Sequence, residues 1–369
     1  MPHLKIKVNR STPLGSAPLE GHNRWHPDIE PMIRINSGDT VEMETRDSFD
    51  CQICKSTTNE DLLKASLGRA HPLTGPVYVN GAEPGDLLAV HITDVVSHTE
   101  GFTVIMPGFG FLRDLFDQPH IVHWSMDKNF ATSEQLPGVR IPGAPFMGVM
   151  GLAPSHDLLD VIARREAALH ARGGAVALPD ANMAVPARGP AATAGLRTIA
   201  PHEVGGNLDI KQLVAGTTLY LPVYTPGALF SVGDAHFAQG DGESCGTAIE
   251  TSATFIARFE LLKGEAARRR QTDPSFSRTG SSVFMDPTRN FYATTGTCVA
   301  KDGMNHSEDI TLATRNALTN MVDYLCDSRG YSPEQAYSLV SVAVNLRISQ
   351  IVDVPNVTVS AFLPLDIFD

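Results

Sequence analysis

The stretch that most clearly predicts the fold is TLYLPVYTPGALFSV, residues 218–232. Its β-branched and aromatic side chains are typical of strands, and Thr-Pro-Gly at 225–227 marks a turn between two of them. Segments of the same character occur at 40–46, 86–96, 252–262 and 356–365. Because they do not alternate regularly with helices, we expect antiparallel sandwich or barrel sheets rather than a doubly wound sheet. The predicted fold class is mainly β with a few helices (α+β).

Three helices are also predicted. Ser155 can cap a helix over residues 156–172, and Ser307 can cap a second helix that ends at Gly330. Pro333 can start the third, because proline is favoured in the first turn of a helix.

Composition suggests where the chain divides. Residues 173–206 are rich in Gly, Ala and Pro, which is typical of a linker or a long surface loop. We therefore expect an N-terminal β-rich unit with one helix over residues 1–172. A C-terminal β-rich unit with two helices would follow over residues 207–369.

Charge and hydropathy exclude several classes of protein. The formal net charge of −12 argues against nucleic-acid binding, because contact with phosphates needs clustered Lys and Arg. No apolar run approaches the roughly 20 residues that span a bilayer, and the first residues lack the features of a secretory signal. Five scattered cysteines fit a reducing compartment. We expect a cytoplasmic protein without a membrane or nucleic-acid partner.

The segment most informative about function is VGDAHFAQGDGESCGTAIE, residues 232–250. Its composition suggests a phosphate-binding loop, a cysteine nucleophile, or a metal-binding and acid–base group. The glycines do not have the dinucleotide-binding spacing, no lysine accompanies them, and Asp241 and Glu243 would repel a phosphate. The phosphate interpretation is therefore excluded.

The thiol of Cys245 is the second possibility. A cysteine nucleophile needs a pKa lowered by a base or a positive neighbour, whereas Asp241 and Glu243 would raise it. The loop could still bring Cys245 near His236, so a thiol mechanism stays as an alternative. Otherwise Cys245 is a small buried residue beneath a site.

The carboxylates and the histidine of this segment favour a metal and acid–base group. Asp234 and His236 are two residues apart after a strand, so their side chains share one face if the strand continues. A carboxylate and an imidazole suit zinc. Asp241 and Glu243 repeat the spacing, and Glu250 follows on the next strand-like segment. Burying these groups unpaired would cost several kcal/mol, which argues against a purely structural turn.

Two other segments supply polar side chains that could join this group. Asp47 and Gln52 follow the predicted strand at 40–46. Asn207 and Asp209 follow a Gly-Gly turn.

These motifs together resemble the acetamidase/formamidase family. The resemblance rests on GDAHFAQGDGESCGTAIE, HNRWHPDIEP, GDTVEMETRDSFDCQI, TGPVYVNGAEPGDLLAVHI, the segment that begins VGGNLDIKQL, and the C-terminal segment that begins GYSPEQAYSL. They cover most of the chain in family order. The ending VAVNLRISQIVDVPNV is more similar to the acetamidase and γ-lactamase branch than to the strict formamidases.

The resemblance implies hydrolysis of the carbon–nitrogen bond of a small linear amide or a lactam. It also implies a mainly β fold, a homo-oligomer, and bound zinc or calcium. The family's polar positions fall on Asp47, Gln52, Asn207, Asp209, Asp234, His236, Asp241, Glu243 and Glu250. One departure is Val204, where many members have a histidine before the two glycines; His202 lies two residues earlier.

We therefore hypothesise an amidohydrolase that depends on one divalent metal, with zinc favoured over calcium. The ligands that we predict are Asp47, Asp209, Asp234 and His236. Glu243 would act as the general base, and Asp241 would orient the substrate NH2 or a ligand. Asn207 and Gln52 would donate to the developing oxyanion.

Three further expectations complete the hypothesis. Phe237 and Trp25 would form an apolar wall that limits the acyl group. One alternative is a metal-independent amidase with Cys245 as nucleophile. The other is a non-catalytic β-sandwich that binds small amides.

Overall fold

The computed structural model describes residues 3–279, 290–352 and 354–369, and its regular structure is mainly β. The strands are β1 (His3–Ile6), β2 (Arg24–Trp25), β3 (Ile33–Ile35), β4 (Thr40–Thr45), β5 (Leu73–Val79), β6 (Leu87–Ser97), β7 (Glu100–Ile105), β8 (His120–Met126), β9 (Phe130–Thr132), β10 (Ile141–Pro142), β11 (Phe146–Gly151), β12 (Leu196–Arg197), β13 (Pro201–His202), β14 (Gly205–Asn207), β15 (Thr217–Pro222), β16 (Phe230–His236), β17 (Glu250–Thr251), β18 (Ala253–Leu262), β19 (Ser275–Arg278), β20 (Phe291–Thr297), β21 (Asn345–Gln350) and β22 (Thr358–Pro364). The helices are α1 (His156–His170), α2 (Pro190–Ala194), α3 (Glu265–Arg269), α4 (Ile310–Arg329) and α5 (Pro333–Ala343).

The first large sheet has the strand order β1-β4-β18-β6-β15-β19. Its pairs are antiparallel except β1 with β4. In β4 the side chains of Val41, Met43 and Thr45 are buried and those between them are only half-buried. This period of two is the alternation that the sequence predicts for a sheet with one face in the core.

The second large sheet has the order β10-β9-β8-β7-β17-β16-β11-β14-β13, with β5 added beside β16 and β3 beside β5. Its pairs are antiparallel except β3 with β5. Apolar side chains of both sheets form one core, in which Met43 and Phe255 of the first sheet join Met147 and Val232 of the second. The predicted α+β fold with sandwiched, mainly antiparallel sheets is therefore confirmed.

Helix α4 and helix α5 pack against a smaller sheet with the order β20-β22-β21. Ser155 caps α1 as predicted, and its side chain accepts a hydrogen bond from the Leu158 backbone. The predicted cap Ser307 is wrong, because α4 begins at Ile310 and Asp309 accepts from the Leu312 amide. Two acidic residues before the helix made this start ambiguous in the sequence.

Strands on either side of residues 173–206 share both large sheets. In the first sheet β4 pairs with β18, and in the second β5 and β11 both pair with β16. Residues 173–206 contain α2, β12 and β13, so part of this segment has regular structure. The division into units 1–172 and 207–369 stays a prediction.

Within the described ranges, none of the helices has the length and apolar character that crossing a membrane would require.

Candidate active site

Strand β16 carries the first two predicted site residues into the interior. It pairs with β11, β17 and β5, and all its residues are buried. Asp234 and His236 face each other, with 3.2 Å between Asp234 Oδ1 and His236 Nε2. The two side chains therefore meet as predicted, although Asp234 has a φ of 57° and the strand is not extended at this residue.

Hydrogen bonds determine which nitrogen of His236 faces the acidic group. The side-chain nitrogen Nε2 of Gln239 donates to the backbone carbonyl of Asp209 over 2.8 Å, so Oε1 of Gln239 is an acceptor. His236 Nδ1 lies 2.9 Å from that oxygen and must donate to it. In the neutral imidazole Nε2 therefore carries the lone pair.

Four carboxylates surround this imidazole. Glu250 Oε1 lies 3.3 Å and Glu243 Oε1 lies 4.0 Å from Nε2, in addition to Asp234. Asp209 Oδ1 lies 4.0 Å from Nδ1. We call this set, Asp209, Asp234, His236, Glu243 and Glu250, the buried group.

A second histidine, which the sequence analysis missed, lies beside the buried group. His71 Nε2 is 3.8 Å from Asp234 Oδ2, and its Nδ1 donates to the backbone carbonyl of Thr198 over 3.0 Å. His71 precedes β5, which pairs with β16. A histidine directly before a strand carries no ligand spacing, so only the pairing of these strands reveals its position.

Gly148 of β11 is the other missed residue. A Cβ atom built on it would lie 2.5 Å from Asp209 Oδ1, 2.6 Å from Asp234 Oδ2 and 2.9 Å from a ring carbon of His236. Its carbonyl also accepts the backbone N–H groups of Leu208 and Asp209. A residue without a side chain is required here because three functional side chains occupy the space.

The backbone of the buried group is strained at three positions. Asp209, Asp234 and Glu243 have φ values of 46°, 57° and 42°. Residues other than glycine rarely adopt this left-handed region, and such strain is concentrated at functional sites. The backbone is thus bent to aim carboxylates that an extended strand would point elsewhere.

The pKa values of His236 and Asp234 shift in opposite directions, which favours a charged pair. Burial by itself would lower the pKa of His236, but Glu250 and Asp234 raise it well above its ordinary value. Burial would raise the pKa of Asp234, but His71 and His236 hold it below its ordinary range. Opposite charges at short distance therefore outweigh desolvation at both residues.

The pKa values of the other carboxyl groups shift upwards. Burial, with the charge of Asp234 next, raises the pKa of Asp209 to about 6. Burial and the charge of Asp209 raise the pKa of Glu243 well above its ordinary value. Carboxylate oxygens of Asp209 and Glu243 lie within 4.8 Å of each other. These two groups favour sharing a proton over both being ionised.

The buried group opens onto a cavity of about 420 Å³. This volume lies within the range of small-molecule sites, ~300–1,000 Å³. The polar lining includes His71, Asp209, Asp234, Glu243 and Glu250. Apolar side chains complete the wall, namely Phe49, Leu67, Met106, Phe109, Ile199 and Leu208. The predicted wall of Phe237 and Trp25 is not part of this lining, because both side chains are buried in core clusters.

Four predicted residues are not part of this lining, namely His236, which contacts the carboxylates that are, and Gln52, Asp241 and Asp47. Gln52 uses its amide to bind the backbones of Phe49 and Ser66. Asp241 accepts from the Gln212 side chain over 2.9 Å. Asp47 is buried and accepts the backbone N–H groups of Phe49 and Cys51. These hydrogen bonds hold the loops that carry the last three residues, so Gln52 and Asp241 do not reach the cavity.

Asp47 nevertheless lies close enough to the buried group for the charge of Glu250 to affect it. Burial raises the pKa of Asp47 to about 6, and the charge of Glu250 adds to this shift. Asn207, by contrast, does line the cavity, and its Nδ2 donates to the Ile199 carbonyl over 3.1 Å.

Two residues considered in the sequence analysis lie elsewhere. Cys245 is fully buried, its Sγ contacts the Val104 carbonyl, and burial raises the pKa of its thiol. Such a thiol is a poor nucleophile. His202 pairs with Glu166 over 2.7 Å and does not line the cavity, so it does not replace the histidine that Val204 displaces.

The donor set fits a divalent cation. In a tetrahedral zinc site with bonds of ~2.1 Å, neighbouring ligand atoms are about 3.4 Å apart. His236 Nε2 lies 3.2 Å from Asp234 Oδ1 and 3.3 Å from Glu250 Oε1. Among the residues that the structure describes, Asp209 Oδ1 and Glu250 Oε2 are buried without a hydrogen-bond partner. The unpartnered oxygens are not the two at ligand spacing, but they belong to the same buried carboxylate groups, and a cation would offset the cost of burying these charges.

The family model for the Acetamidase/Formamidase family matches residues 7–369. The chain belongs to this family. The predicted resemblance is therefore confirmed, and so is the prediction of a hydrolase that acts on carbon–nitrogen bonds of amides.

Three members of the acetamidase/formamidase family show how far the similarity extends. The γ-lactamase from Delftia acidovorans superposes with a TM-score of 0.92 at 35% identity, covering 100% of this chain and 94% of that chain. The formamidase from Methylophilus methylotrophus is 36% identical over 94% of this chain and 89% of its own length. The acetamidase from Mycolicibacterium smegmatis is 35% identical over 93% and 90%.

Proposed function

We propose that the protein hydrolyses small linear amides of the formamide and acetamide type to a carboxylate and ammonia, with a γ-lactam as the second substrate class. The observation that carries this proposal is that the four carboxylates around His236, together with His71, lie in the lining of one cavity. So many ionisable groups in one pocket favour proton transfer chemistry over binding alone. The names of the three relatives support the substrate class.

We further propose that the enzyme depends on a divalent metal, with zinc favoured over calcium. His236 Nε2, Asp234 and Glu250 would hold it, because their atoms have the spacing of zinc ligands and one imidazole nitrogen is among them. When bound, the cation supplies Lewis-acid polarisation of the amide carbonyl and lowers the pKa of a water molecule. Asp209 would belong to the cavity side of this set. Asp47, a predicted ligand, uses its carboxylate for the backbone N–H groups of Phe49 and Cys51 instead.

Glu243 is the residue that we assign to proton transfer. It lines the cavity, and its raised pKa makes it a better proton acceptor than an exposed carboxylate. The water oxygen forms the new bond to the carbonyl carbon, and the carbon–nitrogen bond breaks. The proton that Glu243 takes from water passes to the departing nitrogen. Asp209, whose carboxylate lies within 4.8 Å of that of Glu243, would orient the Glu243 carboxyl group.

The first experiment measures ammonia release or lactam opening together with metal content. The panel is formamide, acetamide, propionamide and a bicyclic γ-lactam, assayed before and after exhaustive dialysis against a chelator. We expect activity to disappear with the metal and to return with added zinc. Full activity in metal-free protein would overturn the metal dependence, and no product from any amide would overturn the function.

The second experiment separates the carboxyl group from the thiol. Glu243→Gln should lower kcat by about 10²- to 10⁴-fold while metal remains bound. Cys245→Ser should keep most of the activity, because this side chain does not line the cavity. The opposite pattern, an active Glu243→Gln and an inactive Cys245→Ser, would favour the thiol mechanism.

The assembly and the compartment stay predictions. All five cysteines are free thiols, which supports a reducing compartment and hence the cytoplasm. Exposed apolar side chains on and beside the C-terminal sheet, including Phe291, Ile348 and Val352, support a homo-oligomer. Light scattering at several protein concentrations would test the oligomer.

A further inference from the structure

Two neutral polar atoms at the cavity have no hydrogen-bond partner among the described residues. They are the hydroxyl oxygen of Ser48 and Oδ1 of Asn207, and both residues line the cavity. Ser48 is only 2% exposed. A buried polar atom without a partner destabilises the fold, and where its residue also lines a cavity a bound molecule can satisfy it.

These atoms differ from the other two orphans of the cavity. Asp209 Oδ1 and Glu250 Oε2 belong to carboxylates, whose charge suits the proposed cation. Ser48 and Asn207 carry no charge and do not belong to that set. Their hydrogen-bonding capacity therefore remains for a neutral ligand.

The orientation of Asn207 follows from its other contact. Only the Nδ2 end of the amide can donate to the Ile199 carbonyl, 3.1 Å away, so the unpartnered end is the acceptor Oδ1. This reverses the sequence-based hypothesis that Asn207 donates to the oxyanion. The hydroxyl of Ser48 can donate, and the sequence analysis did not single it out.

We propose that Ser48 and Asn207 form the carboxamide-binding pair of this cavity. The Ser48 hydroxyl donates to the carbonyl oxygen of the substrate, and Asn207 Oδ1 accepts an N–H of the same amide. The proposal rests on the proposed amide hydrolysis and defines its substrate class further, as primary and secondary amides that retain an N–H. A lactam with a ring N–H satisfies the pair, whereas a tertiary amide does not.

The donor role of Ser48 is tested with Ser48→Ala. Ser338→Ala is the matched control, because Ser338 Oγ is also buried without a partner among the described residues but lies in α5 and not in the cavity lining. Ser48→Ala should lower kcat/KM for acetamide by about 10²-fold, the loss typical of an oxyanion donor. The loss for thioacetamide should be less than about tenfold, because sulfur accepts hydrogen bonds weakly. Ser338→Ala should change neither value more than about twofold.

The acceptor role of Asn207 is tested with Asn207→Leu on acetamide and N,N-dimethylacetamide. The tertiary amide has no N–H group that could donate a hydrogen bond to Asn207 Oδ1. The preference of the wild type for acetamide should therefore fall at least about tenfold in the variant, since a site built to bind an N–H rejects analogues without one. A general disturbance of the site would lower both rates and leave their ratio unchanged.

Binding of acetamide, followed by calorimetry on the same proteins, separates this proposal from the proposed function. Weaker binding to both variants than to wild type and Ser338→Ala supports the pair, even if the wild type releases no ammonia. Equal losses on acetamide and thioacetamide, an unchanged preference in Asn207→Leu, or equal binding by all four proteins would overturn it.

Discussion

Two groups of histidine and carboxylate side chains in this protein have similar composition but very different surroundings. The first is the buried group around His236. The second, which we call the surface group, consists of the buried His26 and the exposed Asp28 and His156. In the surface group Asp28 Oδ1 lies 3.0 Å from His156 Nε2, yet these side chains are 49% and 64% exposed.

The atoms of the surface group are already satisfied. The backbone N–H of Asp28 donates to His26 Nδ1 over 3.1 Å, which occupies the lone pair that a metal would need. Its carboxylate pairs with an exposed histidine and is open to water. The buried group instead holds orphaned oxygens and strained backbone. The two groups have similar residue types, so burial and unmet hydrogen bonds are what distinguish the candidate active site.

The largest expected effect comes from filling the space beneath the buried group. Gly148→Ala places a Cβ within 3 Å of Asp209, Asp234 and His236. We expect a loss of kcat/KM of about 10³-fold and destabilisation of about 1–3 kcal/mol, as in other overpacked sites. Amidase assays and urea unfolding measure both. Gly15→Ala is the control, because nothing lies within 4 Å of its added Cβ; equal behaviour of the two variants would contradict the steric role.

The second largest effect is a difference in unfolding free energy between histidine variants of the two groups. His236→Ala leaves Asp234 and Glu250 buried without their imidazole and should cost about 3–5 kcal/mol of unfolding free energy. His156→Ala removes an exposed partner and should change it by less than about 0.5 kcal/mol. Denaturant titrations with metal analysis measure this. Similar losses in both variants would remove the distinction between the groups.

Burial of a histidine can also be read from the pH dependence of stability. Burial lowers the pKa of His22 to about 4, while a backbone bond to Arg24 opposes the shift. The unfolded chain, with a pKa near 6.5, binds this proton first, so the stability contributed by neutral His22 is lost as pH falls from about 6.5 to 4. Between pH 7 and pH 5 we expect a loss of about 2 kcal/mol. Urea titrations should show a smaller loss in His22→Gln; an equal loss would contradict this assignment.

The smallest effect is expected in the surface group itself. Asp28→Asn removes an exposed ion pair and should change the unfolding free energy by less than about 0.5 kcal/mol. Metal content and kcat should stay at the wild-type values. Loss of bound metal in this variant would show that the surface group, too, holds a cation.

Much of the fold could be predicted because it depends on near neighbours in the chain. The alternation of Val41, Met43 and Thr45 predicts a half-buried strand, and Ser155 predicts the start of α1. Asp309 shows the limit, since several acidic or hydroxyl residues near a helix start compete for the same cap. The spacing of Asp234 and His236 predicted a shared face for the same local reason.

The composition of the site depended on contacts between distant segments. Gln52 and Asp241 belong to the motifs that carry the family resemblance. Hydrogen bonds to the Phe49 carbonyl and to the Gln212 side chain hold them away from the cavity. His71 and Gly148 carry no recognisable spacing and reach the site through strands that pair with β16.

The sequence by itself therefore determined the family, the alternating strands, the three longer helices α1, α4 and α5, and the acidic character of the site. These follow from residue order, since periodicity, capping and motif spacing are local properties. Only the tertiary structure decided which carboxylates meet His236 and which polar atoms stay free for substrate. Strand pairing and burial set both, because they bring together residues far apart in the chain and remove water from between them.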